Sequence, residues 1–266
     1  MFAVDLDRTM IYSKRWFSEA DYATAVCVER RDGAEVSFMT ATAAHALTLL
    51  NSRHPVVPAT ARTVAQYGRI TLPGGPYRFA VTTNGGVILV DEQPDPVWEA
   101  TVAAAIRAES AVLDEVLQAL QARISDEWVR KVVVADDCFV YCVVDESKLP
   151  TDFVESWHHW CQLRGWQVTR QDQTIYTVPR PLCKSHAVLE IKRRLESTGE
   201  LAVAAPFIAA GDGALDAGLL ATASVAIVPA HSGLRPGGAT VTAAHGARAA
   251  EEILALCLVQ HRAGVS

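Results

Sequence analysis

The chain has 266 residues, of which 50% are hydrophobic, and it carries a formal net charge of −6 at pH 7. This length and composition can bury one large core, or a core domain with a smaller domain inserted into it. The acidic balance and the lack of a Lys/Arg run predict that neither nucleic acid nor an anionic membrane surface is a partner.

No apolar run is long enough for a transmembrane helix. The first residues lack the basic and apolar regions of a secretory signal, so we expect a cytoplasmic protein. These features carry no prediction of oligomeric state.

The first third of the chain alternates between strand and helix patterns. In chain order we predict a strand at 2–6, a hairpin at 23–29 and 34–39, a helix at 43–53, a strand at 55–59, a helix at 61–67, and strands at 78–82 and 86–90. Residues 31–33 (RDG) are typical of a hairpin turn, and Thr42 is the predicted N-cap of the first long helix.

The pattern changes after Asp91, where two prolines interrupt the chain. The next segments predict a helix at 97–122, strands at 128–135 and 138–145, a helix at 151–164, and strands at 166–170 and 174–178. This α-β-β-α-β-β order predicts a self-contained α+β domain inserted at 91–179.

Alternation of helix and strand resumes after the insertion. It predicts a helix at 184–196, a strand at 206–210, a helix at 214–221, a strand at 224–228 and a helix at 244–260. Together, residues 1–90 and 180–266 predict an α/β fold with a Rossmann-like, doubly wound parallel sheet. In such sheets the site lies at the carboxyl ends of the strands.

Two acidic motifs follow predicted parallel strands. Residues 5–9 (DLDRT) come after the first strand, and residues 211–216 (GDGALD) come after the strand at 206–210. A turn or helix cap is the structural alternative for the Asp residues of each motif. Because both strand ends meet at one edge of the sheet, their four carboxylates are expected to converge. Such a cluster repels itself and needs a cation, and oxygen ligands favour Mg²⁺.

Four short motifs in this order resemble those of the haloacid dehalogenase (HAD) superfamily of phosphotransferases. They are residues 5–9 (DLDRT), 56–62 (VVPATAR), 181–186 (PLCKSH) and 211–216 (GDGALD). Residues 83–86 (TNGG) are similar to the Asn-Gly turn of the Cof and sucrose-phosphatase-like branch. That branch carries a cap domain after its second motif, where the insertion at 91–179 lies.

The resemblance implies a Mg²⁺-dependent phosphomonoester hydrolase that acts on a small phosphometabolite, for example a sugar phosphate. Asp5 would attack phosphorus and form an aspartyl-phosphate, and Asp7 would protonate the leaving oxygen and then activate water. The other implied roles are phosphate binding by Thr60 and Lys184, Mg²⁺ binding by Asp5, Asp7, Asp212 and Asp216, and candidate substrate contacts by Arg8, Arg62 and Asn84.

Two departures from the family pattern keep other functions open. Arg8 stands where this branch usually has Gly, and it either contacts substrate or points to solvent. Leu215 stands where an Asn is common. One alternative is a phosphomutase on the same fold. The other is a non-catalytic protein that binds a phosphometabolite. Residues 5–9 (DLDRT) also look like those of phosphatase-like proteins found with tellurium-resistance systems. The presence of every core acid favours an enzyme.

Overall fold

The computed structural model describes residues 1–263, and burial is described for residues 1–259. The last three residues of the predicted 180–266 segment lie outside the described residues. The strands of the described chain are β1 (Phe2–Val4), β2 (Val26–Arg31), β3 (Ala34–Met39), β4 (Val56–Pro58), β5 (Phe79–Thr82), β6 (Val87–Val90), β7 (Gln93–Pro94), β8 (Val129–Ala135), β9 (Phe139–Val144), β10 (Trp166–Gln171), β11 (Thr174–Pro179), β12 (Ile208–Ala210), β13 (Val225–Val228) and β14 (Thr240–Val241).

The helices are interleaved with these strands. They are α1 (Glu19–Tyr22), α2 (Ala41–Asn51), α3 (Val64–Tyr67), α4 (Pro96–Glu109), α5 (Leu113–Gln121), α6 (Phe153–Gln162), α7 (Lys184–Ser197), α8 (Ala217–Thr222) and α9 (Arg248–Ala263). Short 3₁₀ turns lie at Lys14–Trp16, Thr83–Gly85 and Ala214–Asp216.

The chain divides into two compact units. One comprises Met1–Pro94 together with the chain from Lys184 onward, and the other is Asp95–Cys183. The predicted bounds of the insertion, 91 and 179, each lie four residues before the corresponding bound of this second unit. The second unit is compact by itself because its strands, β8 to β11, pair with one another in a separate sheet.

A five-stranded sheet organises the first unit. Its strand order is β14-β13-β12-β1-β4, and each neighbouring pair is parallel. Strand β1 lies between β4 and β12, with Phe2 opposite Val56 on one side and Ile208 on the other. The predicted α/β fold with a Rossmann-like parallel sheet is confirmed.

Helices cover both faces of this sheet, as the doubly wound pattern requires. On one face, buried side chains of α2 and α9, such as Leu47 and Ile253, pack in one cluster with Phe2 and Val4 of β1. On the other face α7 packs against α8, and α8 packs against β12 and β13. With β1 and β12 buried on both faces, their carboxyl ends form one fixed edge.

The first unit also contains two smaller sheets. Strands β2 and β3 form the predicted hairpin, whose turn residues Asp32 and Gly33 have φ values of 52° and 80°. Strands β5, β6 and β7 form an antiparallel sheet, and a parallel bridge between Ala59 and Val81 joins it to the end of β4. The bridge brings the turn after β5 to the carboxyl edge of the parallel sheet.

The second unit is an α+β layer in the order α4-α5-β8-β9-α6-β10-β11. Its antiparallel sheet has the strand order β10-β11-β9-β8. Helix α6 packs on the sheet through Trp157, which is fully buried and whose Nε1 donates a hydrogen bond to Thr177 Oγ1 at 2.8 Å. This unit therefore has its own core and its own polar anchor.

The long helix predicted at 97–122 is wrong, because the chain breaks between α4 and α5. Ser110 is extended, with φ −134° and ψ 149°. The break is stabilised from a distant segment, since Ala111 N donates to Arg164 O at 2.8 Å and Trp166 Nε1 donates to Ala111 O at 2.9 Å. A continuous helix would lose these tertiary hydrogen bonds.

The predicted cap of α2 is also wrong. Thr40, not Thr42, is the N-cap, and its hydroxyl accepts the N–H of Ala43 at 3.1 Å. Helix α3 begins at Val64 rather than at 61, because Thr63 and Gln66 form a capping box. Across residues 1–263, every helix falls short of the length and apolarity that a membrane-spanning segment needs.

Gly74 provides a test of how closely the loop before β5 packs on α2. Its φ is 81°, and a Cβ there would lie 2.6 Å from Thr48 Cα. We expect Gly74→Ala to lower the free energy of unfolding by about 2–4 kcal/mol, from backbone strain and overpacking together. The control is Gly33→Ala, with φ 80° but nothing within 4 Å of the new Cβ, which should lose about 1 kcal/mol. Equal losses in urea denaturation would contradict the packing argument.

Candidate functional site

Three buried carboxylates meet at the carboxyl edge of the parallel sheet. Asp5 directly follows β1, and its N–H donates to Ala210 O at the end of the neighbouring β12. One ligand atom from each of Asp5, Asp212 and Asp216 lies within 4.8 Å of the other two. The adjacency of two parallel strands therefore brings together acids that are more than 200 positions apart in the sequence.

Lys184 joins two of these carboxylates. It begins α7 and is 2% exposed, and its Nζ lies 2.6 Å from Asp5 Oδ1 and 2.7 Å from Asp216 Oδ1. Burial alone lowers the pKa of Lys184, but the charges of Asp216 and Asp5 outweigh burial and raise it above its usual value. The ammonium is thus held protonated inside the cluster.

The carboxyl of Asp5 experiences the opposite environment. Burial and then the charge of Asp216 raise its pKa well above the usual value, and Lys184 acts against them. Both oxygens are also oriented, because Oδ1 receives the Lys184 bond and Oδ2 accepts the hydroxyl of Thr9 at 3.0 Å. Asp5 is consequently a fixed carboxylate that needs further positive charge to stay ionised.

A tight loop after β12 holds Asp216 in place. Gly213 N donates to Asp216 Oδ2 at 2.9 Å. A Cβ on Gly211 would lie 2.5 Å from both Cβ and Cγ of Asp216, so only glycine fits there. On the other side, Ser232 Oγ donates to the backbone carbonyl of Asp212 at 2.7 Å. The loop carries its two acids in a set geometry.

The cluster fits a divalent cation. Two ligands on opposite sides of one Mg²⁺ are about 4.2 Å apart, because Mg–O distances are about 2.1 Å. The ligand atoms of the three acids lie within 4.8 Å of one another, so they need to approach by at most about 0.6 Å to share one ion. The donors are carboxylate oxygens, which suit Mg²⁺. Asp5, Asp212 and Asp216 are the side chains that would hold it.

The Asp7 carboxylate is turned away from this cluster toward Arg62. Arg62 Nε and Nη2 each donate to one Asp7 oxygen at 2.7 Å, and Arg62 Nη1 lies 2.8 Å from Glu29 Oε1. Glu29 is 2% exposed and also accepts from Ser37 Oγ at 2.6 Å. Asp7, the predicted catalytic acid, and Arg62, a candidate substrate contact, therefore form an ion pair. Glu29 of the hairpin stabilises this pair by binding Arg62 Nη1.

Thr60 and Asn84 lie together at the same edge of the sheet. Thr60 follows β4 and is 1% exposed, and its hydroxyl accepts the N–H of Arg62 at 3.2 Å. Its carbonyl accepts the N–H of Asn84 at 3.0 Å. Thr83 and Asn84 have φ values of 53° and 54°, a left-handed conformation that is rare for a β-branched residue such as threonine. The strained turn thus fixes the loop that carries Thr60.

Arg8 points inward rather than to solvent. Its Nε lies 3.2 Å from Asp212 Oδ2, and its guanidinium carbon lies 5.2 Å from the centre of the Trp16 ring. Its φ is 62°, and a left-handed backbone costs a non-glycine residue about 1–2 kcal/mol. The sequence left open whether Arg8 contacts substrate or points to solvent. The structure does not show the solvent-facing orientation, because the Arg8 side chain contacts the Asp212 carboxylate.

Sequence reasoning missed several residues of the site. Thr9 stood in the first motif with no role, and Glu29 stood in a hairpin with no evident link to the site. Ser232 and His231 lie in the loop after β13, where His231 Nε2 contacts the backbone carbonyl of Arg8 at 2.9 Å. The sequence signal for Thr9 was its place in the motif. The other three are found only from their contacts.

Solved phosphatases share this fold along almost the whole chain. Sucrose-phosphatase from a Synechocystis species, solved with sucrose and phosphate, gives a TM-score of 0.65 at 14% identity and 97% coverage of both chains. A HAD-superfamily phosphatase from Bacteroides thetaiotaomicron gives 0.55 at 13% identity, with 97% of this chain and 94% of that chain covered. A sugar phosphatase of HAD subclass IIB gives 0.57 at 13% identity, with coverages of 97% and 98%.

No family model matches the sequence, and no curated protein matches it. At identities of 13–14%, the similarity to solved structures shows the fold. The resemblance to the HAD superfamily that the four motifs predict is confirmed at this level: the chain has the fold of HAD phosphatases.

The Glu29 ion pairs generate a stability prediction. We expect Glu29→Gln to lower the free energy of unfolding by about 2–3 kcal/mol at pH 7, because it leaves partly buried Arg62 with one anionic partner fewer. Burial raises the pKa of Glu29, but the Ser37 hydrogen bond and the charge of Arg62 outweigh burial and lower it. The stabilisation is therefore complete above the ordinary glutamate pKa and is lost as the pH falls below it.

The matched control is Glu35→Gln on the same hairpin. Glu35 pairs with Arg30 in the open, with side chains 41% and 61% exposed, so its loss should cost less than about 0.5 kcal/mol. Urea denaturation of both variants at pH 7 and pH 4 measures the effect. A Glu29 variant as stable as the Glu35 variant, or a difference that grows on acidification, would contradict the prediction.

Proposed function

We propose that this protein is a Mg²⁺-dependent phosphomonoester hydrolase that works through an aspartyl-phosphate on Asp5. The observation that carries the proposal is the environment of Asp5. One of its oxygens is held by buried Lys184 and the other by Thr9, and two further carboxylates stand beside it. The fold shared with solved HAD phosphatases supports the same activity.

In the first step an oxygen of Asp5 forms a bond to phosphorus while the bond from phosphorus to the ester oxygen breaks. Lys184 and Thr9 hold the carboxylate so that little reorientation is needed. The Lys184 ammonium offsets the negative charge of the phosphoryl group, and Thr60 donates a hydrogen bond to one of its oxygens. The product of this step is the aspartyl-phosphate and an alkoxide that requires a proton.

Asp7 supplies that proton and then takes one from water. Arg62 occupies both Asp7 oxygens, so at least one of them must be released before Asp7 can transfer a proton. In the second step water attacks phosphorus, its proton passes to Asp7, and the bond from Asp5 to phosphorus breaks. Inorganic phosphate leaves and the Asp5 carboxylate is restored.

Asp5, Asp212 and Asp216 would hold the Mg²⁺, together with the backbone carbonyl of Asp7. When bound, this cation neutralises phosphoryl and carboxylate charge so that the two anions can approach each other. The same residues also explain why the ion is needed, since their charges oppose each other in a buried site.

The substrate we propose is a small-molecule phosphomonoester, with sugar phosphates as the first class to test. Two of the structural neighbours are a sucrose-phosphatase and a sugar phosphatase, which supports this class. We propose the first unit as the catalytic core and the Asp95–Cys183 unit as a cap that excludes water from the reaction. A cytoplasmic location without nucleic-acid or membrane partners fits the net charge of −6.

Phosphate release from a panel of sugar, nucleotide and small organic phosphates tests the proposal. We expect turnover that requires Mg²⁺ and falls by at least about 10⁴-fold in Asp5→Asn, which removes the nucleophile. Trapping of acid-stable phosphate on the wild type but not on the variant would identify the intermediate. Mg²⁺-independent turnover, or full activity of Asp5→Asn, would refute the mechanism. Transfer to a second sugar in place of water would indicate a mutase.

Lys184 gives a second test with a control on the same helix. We expect Lys184→Gln to lower kcat by about 10²–10³-fold, because the phosphoryl charge loses a fixed cation. Lys192, which pairs with Glu196 on α7, is the control, and Lys192→Gln should keep wild-type kcat. Circular dichroism of both variants reports whether the fold is retained. Similar kcat values for the two variants would remove Lys184 from the proposed mechanism.

A further inference from the structure

Arg8 occupies a strained position that the chain maintains through several contacts. Its φ of 62° lies in the left-handed region, where glycine would fit without strain. Its N–H donates to Ile11 O at 2.9 Å. His231 contacts its carbonyl from the other side, at 2.9 Å through Nε2. A left-handed backbone that is fixed by hydrogen bonds to both its N–H and its carbonyl suggests that the side chain at this position is functional.

The His231 contact is oriented by a second hydrogen bond. Gly246 N donates to His231 Nδ1 at 3.2 Å, so Nδ1 is an acceptor and Nε2 carries the proton that is donated to Arg8 O. His231 also lies against Trp16, with ring centres 4.8 Å apart. Trp16 in turn lies under the Arg8 guanidinium. His231 and Trp16, which pack against each other, therefore contact both the backbone and the side chain of Arg8.

Two basic side chains form ion pairs with the three clustered acids. Lys184 contacts Asp5 and Asp216, whereas Arg8 contacts Asp212. With all five groups ionised, the cluster keeps a single net negative charge. Asp212 is 5% exposed, so the Arg8 contact replaces much of the solvation that its carboxylate has lost.

A divalent cation that binds Asp212 must therefore share this carboxylate with Arg8 or displace the guanidinium. Both choices weaken binding, because like charges repel at close range and the existing ion pair is lost. The displaced guanidinium retains the face of Trp16 as a partner. Arg8 and the cation thus compete for the Asp212 carboxylate.

We propose that Arg8 is a built-in competitor of the divalent cation at Asp212, and that it sets the Mg²⁺ affinity of the site below the affinity that the three acids alone would give. This inference rests on the proposed function for the identity of the cation. It assigns a role to Arg8 that is separate from substrate contact.

Isothermal titration calorimetry with MgCl₂ on the full chain, at fixed ionic strength and without substrate, tests the competition. We expect Arg8→Gln to bind Mg²⁺ at least about tenfold more tightly than the wild type, because the guanidinium no longer repels the cation or occupies the Asp212 carboxylate. Arg8→Lys keeps the charge and should stay within about threefold of the wild type. If the Gln variant fails to fold, Arg8→Gly replaces it, because glycine removes the backbone strain as well as the charge.

Arg15→Gln is the matched control. Arg15 is exposed and its guanidinium carbon lies 5.8 Å from the same Trp16 ring, so this variant removes one charge beside the same aromatic residue. It should leave Mg²⁺ affinity within about twofold of the wild type. A tenfold gain in this variant too would overturn the proposal, because it would indicate a general effect of charge.

A double-mutant cycle with Asp212→Asn locates the effect. The gain from Arg8→Gln should disappear in the Asp212→Asn background, where the contested carboxylate is absent. A gain that persists there would overturn the proposal, as would equal or weaker Mg²⁺ binding by Arg8→Gln, or no binding by any variant. Turnover is not part of this readout. A protein without phosphatase activity but with the predicted cycle would refute the proposed function and leave the competition standing.

Discussion

Mutual repulsion of Asp5, Asp212 and Asp216 is the constraint on which the rest of the site depends. Two carboxylates about 4 Å apart repel by about 4 kcal/mol at an effective dielectric of 20, and these three are buried together. The chain offsets this repulsion with Lys184, buried at the start of α7 and shared by two of the acids. The parallel pairing of β1 with β12 brings these acids together, and Lys184 reduces the resulting repulsion.

A second set of ion pairs connects the site to the β2–β3 hairpin. Arg62 joins the Asp7 carboxylate to buried Glu29, so the loop after β4 and the hairpin are held by one guanidinium. The bidentate contact sets the orientation of Asp7 more narrowly than a single hydrogen bond would. The proposed proton transfer by Asp7 therefore requires a change in its contact with Arg62. The hairpin thereby supports the site although none of its residues belongs to the motifs.

Local sequence patterns were sufficient where a segment's neighbours in the chain decide its structure. The alternating hairpin, the apolar strands around the sheet and the helix after Lys184 form within a few residues of their predicted bounds. Prediction failed where distant residues decide. The helix expected at 97–122 breaks at Ser110 because Arg164 and Trp166 bond the backbone there, 50 or more positions later in the chain. Nothing in the local periodicity carries that information.

The sequence by itself determined that acids follow two strands of a parallel sheet, because strand period and motif order are local properties of the chain. It therefore predicted the fold and the meeting of Asp5, Asp212 and Asp216. It was wrong for the fourth carboxylate, because Asp7 pairs with Arg62 instead. Only the tertiary structure decided how each charge is paired: Arg8 with Asp212, Arg62 with Asp7 and Glu29, and Lys184 with two acids at once. These choices depend on which side chains approach within about 3 Å after the sheet, hairpin and helices pack, since charge interactions at contact distance are set by geometry rather than by spacing along the chain.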